Sequence, residues 1–277
     1  MSDVMPARAR TALSALRARL RLPHGWGDAV RQVAIWVAVD AFYEVVRGLT
    51  EGSDATALAN GRAVVDIERA TGTFFEVDLQ HALLPHGWVI DIANFLYMNA
   101  HLLVCTAFLT WLYLRRNETF YFVRNMFIAG MALACVVHAV LPTAPPRLLT
   151  QYGFVDTIQR FAHVNQDSGA ISALINKYAA VPSMHVGFAL IVGVTAAALA
   201  RRRWVKAAAA CYPLLMLFVV LSTANHFWLD GLAGAAVAGV AALLARGPLT
   251  ALRPDVWGWR VAHGEHERER GPAPARA

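Results

Sequence analysis

The chain has 277 residues, 57% of them hydrophobic and only 16% charged, with a formal net charge of +6 and a mean hydropathy of +0.42. That balance is too apolar for an ordinary soluble domain, and several apolar runs reach the ~20 residues that cross a bilayer. The basic excess does not point to nucleic acid, because the arginines gather at the ends of the apolar runs, where the positive-inside rule puts them.

Residues 1–30 carry Arg8, Arg10, Arg17, Arg19 and Arg21. They lack the apolar core and small-residue cleavage site of a signal peptide and read as a basic cytoplasmic segment. Six spans are predicted, at 31–50, 88–113, 121–141, 183–200, 205–224 and 227–245. Arg115 and Arg116 fall between spans two and three, Arg201, Arg202, Arg203 and Lys206 between four and five, and Arg246 after six. With the N-terminus inside, all of these lie on the cytoplasmic side. The expected fold is therefore all-α: a polytopic membrane helical bundle of about six transmembrane helices, both termini cytoplasmic. Residues 31–246 form its one membrane-embedded domain, and the Pro-, Gly- and Arg-rich segment 247–277 reads as a disordered cytoplasmic tail.

Two outer segments are long. Within 51–87, Gly61 to Leu84 is amphipathic, with Val64, Val65, Phe74, Phe75 and Leu79 among charges, and is predicted to lie in the interface plane. Residues 148–181 are polar, with Asp156, Arg160, His163 and Asp167, and are predicted to cap a site. Cys105, Cys135 and Cys211 fall inside apolar runs and read as small buried hydrophobes, not as a disulfide or metal framework.

Two short segments carry the chemistry: Pro182-Ser183-Met184-His185 and the run Ser222 to Asp230. The orientation above puts both on the extracytoplasmic side. His226 and Asp230 are four apart, so the carboxylate can accept a bond from one imidazole nitrogen and leave the other to attack. Ionisable groups at the edge of a span are costly, and two such segments on one face argue for a shared site. Ser183 opens span four either as a helix cap or, with the amides near Met184, as an anion site. His185 is then placed to protonate a leaving alcohol. Arg147, in the stiff Pro142–Arg147 loop, suits a phosphate. Arg124 lies near the other end of the same span and reads as a positive-inside residue.

In span two, Asp91, Asn94 and His101 share roughly one helical face. Asp91 and Asn94 are candidates for a head-group pocket, with Tyr97, Ser222 and Asn225 beside them, and His101 for an interhelical bond. In span one, Asp40 and Glu44 share a face, with Arg47 a turn beyond. Internal ion pairing and substrate contact are both open to them.

These residues resemble the type 2 phosphatidic acid phosphatase superfamily over roughly residues 90–245. Its second motif, Pro-Ser-Gly-His, is matched by Pro182 to His185 with methionine in place of glycine. Its third motif ends in a histidine and an aspartate four apart, matched by His226 and Asp230. The resemblance implies His226 as nucleophile, Asp230 as its orienter and His185 as acid and base, with no metal and no cofactor. The departures matter. Val140 stands where the first motif has a lysine, seven residues before Arg147. Ser222 lies four residues before His226, where the third motif has Ser-Arg six ahead. Thr143–Arg147, Ala224–Phe227 and the pattern Asn94, Tyr97, His101 are similar to the inositol phosphorylceramide synthase branch, which moves a phospho-head group from one lipid to another.

The expected function is thus an integral membrane enzyme of the cell membrane acting on lipid phosphoesters through a phosphohistidine, with head-group phosphotransfer ahead of lipid phosphate hydrolysis. Its expected partners are membrane lipids: a phospholipid or lipid phosphate donor, and an alcohol or water acceptor. Two rivals are a metal-dependent hydrolase using His185, His226 and Asp230 as ligands, and a lipid-phosphate carrier without turnover.

Overall fold

The computed structural model describes residues 22–49, 53–161, 178–248 and 251. Expectations for the basic N-terminal segment to residue 21, for His163 and Asp167, and for the tail from residue 252 lie outside these residues. Helix α1 (Gly25–Leu49) is followed by two short helices, α2 (Asp54–Ala70) and α3 (Glu76–Leu83). Then come α4 (Gly87–Arg115), α5 (Asn117–Val140), a short α6 (Thr157–Phe161), α7 (Met184–Leu199), α8 (Arg203–Ser222) and α9 (Trp228–Arg246). Among the described residues the extended pairing is limited to one bridge, Thr143 with Ala179.

Six helices fall where spans were expected. Four of them, α4, α5, α8 and α9, are long and apolar enough to cross a membrane, and α7 is apolar but shorter. α1 starts earlier than its apolar run, and polar residues explain why. Asp28 accepts from Tyr113 (2.9 Å) and Tyr121 (3.1 Å), and Arg124 donates to Gln32 (2.5 Å). Arg124 is thus a buried cross-link between α1 and α5, not a surface charge. The molecule is an all-α membrane helical bundle.

Small residues set its close crossings, as is usual between membrane helices. A Cβ on Gly193 of α7 would stand 2.6 Å from Ala209 O of α8, and one on Gly187 would stand 2.9 Å from Gly234 O of α9. Around them pack Phe127, stacked on Phe188 (4.6 Å), and Trp36, edge-on to Phe127 (5.7 Å). Cys105 and Cys135 are buried as expected, whereas Cys211 is exposed on its helix.

The amphipathic segment is not a lone interfacial helix. It folds as α2 and α3 around a turn at Gly72 (φ +69°), and three of its polar side chains point into the protein while Arg62, Asp66, Arg69 and Asp78 stay exposed. Glu68, Glu76 and Gln80 are fully buried. Gln80 exchanges two hydrogen bonds with the backbone of Val155 (both 2.9 Å). Gly61 sits where a Cβ would lie 2.8 Å from Ala144 O. These helices and the loop from Leu141 to Phe161 cover the end of the bundle where α7 and α9 begin.

Candidate active site

Leu141-Pro142 stops α5, since proline cannot continue the hydrogen-bonded helix. The loop beyond meets the strand-like residues before α7: Thr143 N–H donates to Tyr178 O (2.7 Å) and Ala180 N–H to Thr143 O (3.2 Å). Arg147 N–H donates to Ala224 O (2.8 Å), tying the loop to the turn between α8 and α9. In that turn Ala224 adopts φ +54°, a left-handed conformation that costs a non-glycine residue about 1–2 kcal/mol. Thr223 donates back to Val219 O (2.7 Å). The turn delivers His226 just ahead of α9.

His226 Nδ1 lies 2.8 Å from the carbonyl oxygen of Ala180. A carbonyl only accepts, so the proton of the neutral ring sits on Nδ1 and the lone pair on Nε2. Asp230 Oδ2 is farther from the same nitrogen, at 3.4 Å, and takes its short bond from Phe227 N–H (2.8 Å). The Asp230 main-chain oxygen accepts from Ser183 N–H (2.9 Å), which locks the two histidine segments together. Burial pushes the His226 imidazole down to about 4; the Ala180 carbonyl opposes this and the Arg147 charge adds to it.

His185 enters from the first turn of α7. Its ring centroid is 6.0 Å from that of His226 and 5.0 Å from that of His101, and it stacks on Tyr97 at 4.2 Å. His185 Nε2 lies 3.3 Å from the Tyr97 carbonyl oxygen and donates to it. Tyr97 belongs to a π-helical turn, Leu96–Ala100, inside α4. His101 makes the interhelical bond expected of it, with Tyr212 OH at 2.9 Å.

A cavity of about 250 Å³ opens between these groups. His185, His226, Tyr97, Pro182 and Met184 line it, as do His101, His138, Asp40 and Glu44. The other candidates lie outside it. Asn94 is buried against Thr157, with bonds of 3.2 Å from each side-chain end, and Asp91 is exposed. Ser222 Oγ donates to Val219 O (3.1 Å), and Asn225 Nδ2 donates to Thr223 Oγ1 (2.9 Å). The π turn lies between Asn94 and His101 and shifts the register by about one residue, so Asn94 no longer shares a face with His101. Asp91, in the regular helix before it, is exposed where Asn94 is buried.

Arg147 is buried, and its Nη1 is 2.9 Å from Asp156 Oδ2. Ser183 does not cap α7 with its side chain. Its hydroxyl is buried without a hydrogen-bond partner among the described residues, next to the first amides of the helix. Among the described residues no three His, Cys, Asp or Glu side chains gather closely enough to hold a metal ion. Four contributors escaped the sequence reading. The Ala180 carbonyl is backbone, His138 is alone in its span, and Glu68 and Glu76 look like surface charges of an amphipathic helix.

Residues 62–244 match the PAP2 superfamily, and the chain belongs to it. That span holds both histidine segments, the Arg147 loop and the cavity-lining helices α4, α5 and α7, while α1, which also lines the cavity, precedes it. The chain is therefore a membrane enzyme of the lipid phosphatase and phosphotransferase type, acting on lipid phosphates. No curated protein and no solved structure matches it.

Proposed function

We propose that the chain is a head-group phosphotransferase of the inositol phosphorylceramide synthase branch, working through a phosphohistidine on His226. The observation that carries this reading is the Nδ1 bond of His226 to Ala180 O (2.8 Å), which leaves the Nε2 lone pair for attack beside His185. His226 Nε2 attacks phosphorus, and the bond from phosphorus to the donor's leaving oxygen breaks. His185 gives that oxygen its proton. An acceptor alcohol then attacks the phosphohistidine, His185 takes the alcohol's proton, and the N–P bond breaks. The chain needs no metal for these steps. Asp230 faces the ring that becomes cationic, and its charge favours that state.

Asp40 and Glu44 on the cavity wall support head-group transfer. Carboxyl oxygens accept hydrogen bonds from hydroxyls, so this wall suits a hydroxyl-rich phosphoinositol-type group. The arginine pattern supports an extracytoplasmic site in the cell membrane, with residues 31–246 as the catalytic domain. The test is to offer the detergent-purified protein phosphatidic acid, phosphatidylinositol and prenyl phosphates, with and without a lipid alcohol. A new phospholipid supports transfer. Free phosphate alone makes the protein a hydrolase, and binding without turnover makes it a carrier.

A further inference from the structure

Three carboxyl groups from three helices hold the start of α9. Phe227 N–H donates to Asp230 Oδ2 (2.8 Å), Trp228 N–H to Glu76 Oε1 (3.0 Å) and Leu229 N–H to Glu68 Oε1 (3.4 Å). The first amides of a helix have no partner within it and carry its positive end, so acceptors there are favoured. Here they come from 152 and 161 residues away in sequence. Both glutamates are 0% exposed. Burying such groups is unfavourable unless hydrogen bonds and charge compensation offset it.

The two glutamates are satisfied differently. Glu76 uses both oxygens, since Oε2 also accepts from Phe75 N–H (3.1 Å). Glu68 Oε2 has no hydrogen-bond partner among the described residues. The titratable groups that face Glu68 are Glu76 on α3 and Asp230 on α9. Asp230 Oδ1 is likewise buried without a partner among the described residues. Three carboxyl groups thus crowd together with two unmatched oxygens, and a proton held on Glu68, the one facing both of the others, relieves the repulsion among them. Consistent with that placement, burial first, and then the charges of Glu76 and Asp230, push the Glu68 carboxyl up to about 9.

We propose that Glu68 and Glu76 are positioning residues: a carboxyl pair holding one proton, carried by the short helices α2 and α3, that fixes the turn presenting His226. Neither touches the cavity, and they act through the Trp228 and Leu229 amides. Deprotonating Glu68 adds a negative charge beside Glu76 and Asp230, and the repulsion loosens the first turn of α9. The His226 ring then loses its set position against Ala180. The proposal rests on His226 being the attacking group, and its test needs no lipid.

The experiment follows carbethoxylation of His226 by diethylpyrocarbonate in the full-length, detergent-solubilised protein, read by peptide mass against the exposed His86. The reagent reacts with unprotonated imidazole, and His226 stays unprotonated throughout a scan from neutral pH to about 10. In the unaltered protein the relative reactivity of His226 is level at neutral pH and changes as pH passes about 9. Glu68→Gln keeps the acceptor and cannot ionise, so its profile stays level across the scan. Glu68→Ala differs from the unaltered protein already at neutral pH, by about tenfold, the scale of one lost hydrogen bond. A Glu68→Gln profile that breaks near the same pH as the unaltered protein, or Glu68→Ala with unchanged reactivity, overturns the proposal. Failure of the lipid panel with this pattern intact removes the transferase reading and leaves the positioning role standing.

Discussion

At the scale of single residues, the tautomer of His226 is set by a backbone oxygen. Ala180 O is 2.8 Å from Nδ1, whereas Asp230 Oδ2 is 3.4 Å away. The roles of the two acceptors therefore separate. Asp230→Asn keeps the tautomer but removes the charge facing the developing cation, so kcat should fall by about 10- to 100-fold without vanishing. His226→Ala should abolish turnover while the helical circular dichroism of the purified protein stays unchanged. The low titration of His226 also makes a prediction about acid. In the unfolded chain a histidine binds its proton near ~6.5, whereas here it does so near about 4. Between those values the unfolded state holds the extra proton, so thermal stability should fall as pH drops through that window. His226→Asn should flatten the fall, as read from melting temperature against pH. Arg147 could be singled out in the sequence as a cation on a stiff loop. Its contact with Asp156 could not, because the two are nine positions apart across a loop of short 3-10 turns with no continuous helical register.

At the scale of elements, α7 and α9 are joined through glycine. A Cβ on Gly234 would stand 2.1 Å from Ser183 O, so the helices meet next to the residue that opens α7. Gly234→Ala should push Ser183 and His185 away from His226. The expected cost is about 1–3 kcal/mol of stability, as for other overpacked contacts, together with a loss of kcat larger than that of the matched lipid-facing control Gly239→Ala. A Cβ at Gly239 meets nothing within 4 Å. The same scale shows what the sequence could and could not reveal. Long apolar runs placed α4, α5, α8 and α9 within a few residues of their ends, because burial in lipid demands unbroken apolarity. α1 begins at Gly25, before its apolar run, because Asp28 and Gln32 are satisfied by Tyr113, Tyr121 and Arg124, partners distant in sequence. The π turn at Leu96–Ala100 left no mark in the composition, so a regular 3.6-residue period put Asn94 on the face of His101.

At the scale of the whole molecule, the site closes only because three distant parts of the chain meet at one end of the bundle. The α5–α6 loop brings Ala180's partner Thr143 and Arg147, α8–α9 brings His226, and α2–α3 bring the buried glutamates. The convergence of His185 and His226 was legible, since both stand at helix starts and the arginine pattern put them on one side. The covering layer was not, because its glutamates are buried by tertiary contacts that no local pattern announces. If the arginines orient the chain as proposed, a cysteine introduced at exposed Gln151 in a cysteine-free background should react with an impermeant maleimide in intact cells. One at exposed Arg202 should react only after permeabilisation. The central claim is that His226 carries the phosphoryl group between donor and acceptor. The most direct measurement quenches the protein during turnover with its active donor lipid, digests it at alkaline pH, where phosphohistidine survives, and maps the adduct by mass spectrometry. The account predicts a phosphoramidate on the peptide bearing His226, absent without donor. Continued turnover with the adduct on another residue, or with no adduct while His226→Ala remains active, would contradict it.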